Sequence, residues 1–278
     1  MRKLAVILLM TLLLLFAGCS AVPAFAPGEE TSPASSGVSG APEDPESAPA
    51  PPVEEDTTVR VTIPEGFTVL QICQRLEESG VCSGQEFFEV SQSYEPSSFT
   101  VPEDENRPYK MEGYLFPATY EFEKNSDPTD VLIEMLNAYR YRAGDLTDEQ
   151  LIIASIIERE SRSAENAALV SSVIYNRLDA GMMLQMDSTR EYINDAVTDS
   201  PYLTGDTSRF AELYNTYKCP ALPAGPICCP GERAMEAARN PAESEYYYFF
   251  FGNDNENHYS TTYEEHVAAI EEYGVQYG

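Results

Sequence analysis

At 278 residues the chain is long enough for one large domain or two modest ones. Its formal net charge is −29; eight of its 46 acids and two of its 17 bases fall in residues 1–56, so −23 resides on the remainder. A body this acidic argues against nucleic acid and against adhesion to anionic lipid, and leaves a carbohydrate or a neutral partner open.

Arg2-Lys3 precede an almost wholly apolar run, Leu4 to Phe16. That run is too short for a membrane span, which needs ~20 residues, and has the form of a signal-peptide core. Phe16-Ala17-Gly18-Cys19 resembles a lipobox, with Phe16 in place of the usual Leu. Residues 1–19 therefore read as a lipoprotein signal peptide with Cys19 as the lipidation site. The alternatives are an ordinary cleaved signal or an uncleaved anchor. Residues 20–56 are dominated by Pro, Ala, Ser, Gly and acids, with no Lys or Arg. Such a segment cannot bury enough apolar surface to offset its ordering entropy, so it is expected to be a disordered tether. As a flexible coil it has an rms reach of ~33 Å.

The body opens with an alternating strand, Val59 to Ile63, and a Pro64-Glu65-Gly66 turn. Thr68 caps a helix through Leu76 that Gly80 ends, and Ser83 starts a second one through Phe87, Phe88 and Val90. This strand–helix–helix unit, residues 57–95, is too small for a large core and reads as a binding or docking module. From Ser91 to Pro108 the chain is polar and Pro-bearing, with the linker set at 96–110. A mixed α+β domain over 111–278 follows. Asp127-Pro128 opens an amphipathic helix, and Thr147 with Gln150 is a capping signal for the next. An apolar helical run then extends from Leu151 to Leu178. Beyond Gly181 the sequence predicts irregular chain, then a helix over Glu232–Arg239, a strand over Tyr246–Phe251 and a closing helix over Tyr263–Tyr273.

The chemistry-bearing segment lies in that apolar run: Ala154-Ser155-Ile156-Ile157-Glu158-Arg159-Glu160-Ser161. A carboxylate held against apolar surface has its charged form disfavoured, so it keeps a proton nearer neutral pH and serves as a general acid. On a helical wheel Glu158 lies over Leu151, Ala154 and Ser155, where small residues leave room for a ligand. Glu160 lies over Ile153, Ile156 and Ile157 and looks at least as buried. Periodicity does not choose between them, and both acids could equally sit at the surface beside Arg159 or Arg162. Glu112, beside Gly113, reads as structural.

Cys19 set aside, five cysteines remain. Cys73–Cys82 is a plausible local bridge, and Cys219 has Cys228 or Cys229 as a partner. With no CxxC pair and only two histidines, no metal site and no cofactor are expected. No GxSxG or HExxH motif points to a serine or metallo-hydrolase.

Several motifs in order resemble the MltG-type endolytic murein transglycosylases, the YceG-like family. They are Glu112-Gly113-Tyr114-Leu115-Phe116-Pro117 with Thr119-Tyr120, the Ala154–Ser161 segment, Asn176-Arg177-Leu178 with Gly181-Met182, and Leu184-Gln185 with Asp187 and Thr189. Tyr214-Asn215-Thr216-Tyr217, Leu222-Pro223 with Gly225-Pro226-Ile227, Pro230-Gly231, Asn240-Pro241 and His258 complete the set. Ser188 and Ala224 stand where the family usually has Pro, and the Cys228–Cys229 pair is unusual. The resemblance covers roughly residues 57–278. It implies a LysM-like module at 57–95 and a lyase that cuts the MurNAc–GlcNAc β-1,4 bond of nascent strands, leaving 1,6-anhydroMurNAc ends. It selects Glu158 as the catalytic glutamate, with Gln185, Asp187, Thr189, Tyr214, Asn215, Glu160 and His258 as candidate sugar contacts; Asp187 and Asn215 could equally be turn formers, and His258 merely exposed. It further implies peptidoglycan strands and cell-wall synthases of the elongation machinery as partners, on the extracytoplasmic face of the membrane, held by the lipid. The rival reading is a non-catalytic peptidoglycan-binding lipoprotein on the same fold.

Overall fold

The computed structural model describes residues 57–219 and 221–274. The signal peptide, Cys19 and the 20–56 tether lie outside the described residues. Strand β1 (Thr58–Thr62) buries Val61 and leaves Arg60 and Thr62 in solvent. Helix α1 (Val69–Glu78) begins at a reciprocal cap: Gln71 N donates to the Thr68 hydroxyl at 3.3 Å, and Thr68 N to Gln71 Oε1 at 2.9 Å. Ser83 caps α2 (Gly84–Ser93). The strand that pairs with β1 is β2 (Thr119–Glu123), antiparallel, with Val59 opposite Phe122 and Val61 opposite Tyr120. Tyr120 and Phe122 are buried and alternate with exposed Thr119, Glu121 and Glu123, the pattern of a half-buried strand. The 57–95 segment thus takes its second strand from beyond residue 111.

The intervening chain is irregular but anchored. Arg107 forms a two-pronged pair with Asp148 (2.5 and 2.9 Å) and donates to the Ala224 carbonyl at 2.8 Å. Glu112 is enclosed at the N-terminus of α1, where it accepts from Val69 N at 3.1 Å and the Tyr192 hydroxyl at 3.2 Å. Burial pushes its pKa up to about 8, against the pull of those donors.

Asp127 caps α3 (Pro128–Ala143), with Pro128 in the first turn where its missing N–H costs nothing. Helix α4 (Asp148–Glu160) is buried on every side from Leu151 to Ile157, which makes it the central element. The apolar run expected to reach Leu178 is broken. Ser161 is extended (φ −133°, ψ 147°), and Ser163 accepts from Asn166 N to cap a separate helix, α5 (Ala164–Asp179). Serine hydroxyls that compete for backbone groups explain the break inside an otherwise apolar stretch.

The region expected to be irregular after Gly181 holds two short helices. These are α6 (Asp187–Tyr192), which runs on into a π-helical turn over Ile193–Thr198, and α7 (Ser208–Tyr214). Helix α8 (Glu232–Arg239) packs on α4 and α5. A second antiparallel pair, β3 (Tyr248–Phe251) and β4 (Asn257–Ser260), leads into α9 (Tyr263–Tyr273). The architecture is α+β, mainly helical with two small sheets.

The expected disulfides are absent: Cys73, Cys82, Cys219, Cys228 and Cys229 are free thiols. Cys73 lies in the core with Val69, Ile72 and Leu76, and Cys228 turns its thiol to the Ser155 carbonyl at 3.3 Å. They pack as small apolar residues. No helix among the described residues is long and apolar enough to cross a membrane.

Candidate active site

The last turn of α4 projects its two glutamates into different surroundings. Glu158 accepts from Gly231 N at 3.1 Å and pairs with Arg233 at 2.9 Å, both at the start of α8. Burial raises its pKa; the Gly231 amide and the Arg233 charge oppose the rise, and Glu65 adds to it. Glu65 comes from the turn after β1 and lies across Gly231, where a Cβ would meet its Oε1 at 1.9 Å. A side chain at residue 231 would have to push that carboxylate aside.

Glu160 faces a cleft of about 800 Å³. Burial is the main cause of its raised pKa, helped by the nearby Asp187 and Glu191 charges and partly offset by Ser188. Neither Lys nor Arg forms an ion pair with it among the described residues. Tyr217, Phe251 and Tyr263, three of the exposed aromatic side chains, share the lining of this cleft with Tyr248 and Phe249. Grouped aromatic faces beside a few convergent polar groups mark a ligand-binding surface. Gln185 lines the cleft in a left-handed conformation (φ 55°), held there because its N–H donates to Thr216 O at 3.0 Å and its Oε1 accepts from Arg177 at 3.3 Å. That conformation is uncommon for a residue with a side chain, and such residues concentrate at functional sites.

The expected sugar contacts divide. Glu160, Gln185 and Asp187 line the cleft. Thr189 is fully buried behind it, donating to Met186 O at 2.8 Å and sharing a hydrogen bond with Thr216. Tyr214 is buried against Tyr192, and Asn215 closes a turn by accepting from Tyr217 N. His258 stands outside the lining, paired with Asp254 at 2.9 Å and stacked on Tyr273. Glu158 is likewise outside it. The cleft instead takes Arg177, Tyr217, Tyr248 and His266, none of them among the expected sugar contacts. Strand alternation was a usable signal for Tyr248; nothing local singled out His266.

The YceG-like family model matches residues 48–272. This chain belongs to the YceG-like family. Its curated relatives include an endolytic murein transglycosylase of Streptococcus pneumoniae (serotype 2, strain D39), 29% identical over 221 residues. That match covers 69% of this chain and 40% of the relative. The endolytic murein transglycosylase of Bacillus subtilis (strain 168) is 29% identical over 248 residues, 77% of this chain and 65% of the relative. The YceG-like chain thus spans less than two thirds of either relative's length. The crystal structure of a YceG-like protein from Listeria monocytogenes matches with a TM-score of 0.61 at 28% identity, over 76% of this chain and 75% of that one.

Proposed function

We propose that this YceG-like chain is an endolytic lytic transglycosylase of peptidoglycan, with the Glu160 carboxyl as its proton carrier. The supporting observation is a carboxyl with a raised pKa, with no paired cation among the described residues, on the wall of an aromatic cleft. The family resemblance assigned this role to Glu158. We prefer Glu160 because Glu158 is tied to Arg233 and Gly231 and lies off the cleft lining. A carboxylate compensated by arginine holds its proton less readily.

In the proposed reaction Glu160 gives its proton to the glycosidic oxygen as the C1–O4 bond breaks. The C6 hydroxyl of the same muramic sugar forms the new C1–O6 bond, and its proton returns to the Glu160 carboxylate. No water is consumed, so one carboxyl suffices where a hydrolase uses two. The β1–α1–α2–β2 unit is proposed as a LysM-like element that holds the glycan. Acylated Cys19 is proposed to keep the cleft within a tether's reach of the outer face of the cytoplasmic membrane, beside the synthases that extrude strands. Cys19→Ala should then reduce function in cells far more than cleavage in a test tube.

The test is digestion of nascent, uncrosslinked strands in ¹⁸O-labelled water, followed by mass spectrometry. Anhydro ends without label are expected. Label at the new sugar end would instead make the chain a hydrolase, and binding without any cut would favour the non-catalytic lipoprotein.

A further inference from the structure

The cleft contains a buried cation that the proposed proton transfer does not use. Arg177, on α5, is only 6% exposed. Its Nε donates to Tyr247 O at 2.5 Å, and its Nη1 donates to Met183 O at 3.0 Å, Leu184 O at 2.8 Å and Gln185 Oε1 at 3.3 Å. Its Nη2 has no acceptor among the described residues, and no carboxylate there pairs with the guanidinium. Burying a positive charge without a counter-ion is costly. In a chain with 46 acids, a partner would have been easy to supply. Arg107, Arg233 and Arg239 each have one.

A second polar group lies unused beside it. The guanidinium stands over the Tyr248 ring at 5.0 Å, and His266 stacks on the same ring at 5.2 Å. His266 Nδ1 is buried and has no hydrogen-bond partner. Both residues line the cleft that takes Glu160. A guanidinium Nη2 left without an acceptor, beside an imidazole, is a donor group that a carboxylate fits. The acids sharing the cleft do not forbid an anion: Asp187 lies 3.5 Å from Arg190, and burial raises the Glu160 pKa.

We propose that the Arg177–His266 end of the cleft is a subsite for a carboxylate on the glycan substrate, paired through Arg177 Nη2. This rests on the reading that the cleft takes peptidoglycan. Such strands offer that chemistry from two sources, the lactyl carboxylate of a peptide-free muramic sugar or a carboxylate of the attached peptide.

The test measures binding to the full-length Glu160→Gln chain by calorimetry. The ligands are peptide-free strands, peptide-bearing strands, and each of these with its carboxylates converted to amides. Amidation should weaken binding about tenfold, the yield of one charge-assisted pair. Loss with peptide-free strands assigns the lactyl group, and loss with peptide-bearing strands alone assigns the peptide. The preference should shrink between 0.05 and 0.5 M salt. Arg177→Gln should remove it, but Arg177 also supports three carbonyls, so the comparison of ligands on unaltered Arg177 is decisive. Equal binding of native and amidated strands overturns the subsite. Residual cleavage by Glu160→Gln would count against the proton carrier and leave the binding comparison intact.

Discussion

Two sides of one helical turn treat the same functional group in opposite ways. On the α8 side Glu158 meets a cation and a backbone N–H; on the cleft side Glu160 meets aromatic rings and other acids. Both carboxyls are raised by burial, so burial does not distinguish them. Compensation does. A carboxylate paired with a cation is a structural tie, whereas one without a cation beside open space holds its proton more firmly.

The strongest way to break this contrast is to neutralise each acid in turn. Glu160→Gln should lower cleavage of nascent strands by roughly 10²–10⁴-fold, the usual worth of a positioned acid, while Glu158→Gln stays within about tenfold. The reverse ranking, measured by release of anhydro ends, returns the chemistry to Glu158. Next in size is the tie itself. Arg233→Met leaves Glu158 buried without its cation and should cost about 3 kcal/mol in denaturant unfolding. Adding Glu158→Gln should recover much of that, and strictly additive losses would show that the pair is not coupled.

Glu112 sharpens the comparison, because it is buried with neither a cation nor a cleft. Its pKa is about 8 in the folded chain against 4.5 ordinarily. Below pH 4.5 both states hold the proton. Between 4.5 and about 8 the unfolded chain releases it and the folded chain keeps it, so this contribution to stability is lost as pH rises. Glu112→Gln should flatten that fall, with a gain of about 1–2 kcal/mol over the parent at pH 8 in chemical denaturation. A parallel pH dependence in both proteins would refute the buried neutral acid. The smallest effect is expected at Gly231. A methyl there displaces Glu65, an exposed side chain free to swing away, so Gly231→Ala should change stability by no more than about 1 kcal/mol in a thermal melt.

Features set by neighbours in sequence were legible. The caps at Thr68, Ser83, Asp127 and Thr147 all form, since each needs only a hydroxyl or carboxylate two or three residues from an unpaired N–H. The α+β class followed from the same local signals. What stayed hidden depended on distant partners. Strand β2 alternates visibly at Tyr120 and Phe122, but its pairing with β1 crosses 57 residues at Thr62–Thr119. That Arg233 returns to Glu158, the observation behind the preference for Glu160, was likewise beyond the reach of local pattern. His258 entered through the family resemblance alone, and nothing local announced that α9 carries His266 to the cleft. The serine pair Ser161 and Ser163 was a local signal that the long apolar pattern outweighed.

The β1–β2 register also sets an order of assembly. β1 is the first strand among the described residues, and its sheet partner, Thr119–Glu123, is synthesised only about 60 residues later. The first 60 or so residues of the body must therefore wait for their completing strand, a delay set by topology rather than by local helix strength. A fragment cut at the 96–110 linker would bare β1 as an open edge and associate with its own copies. One extended to Glu123 carries its own closure.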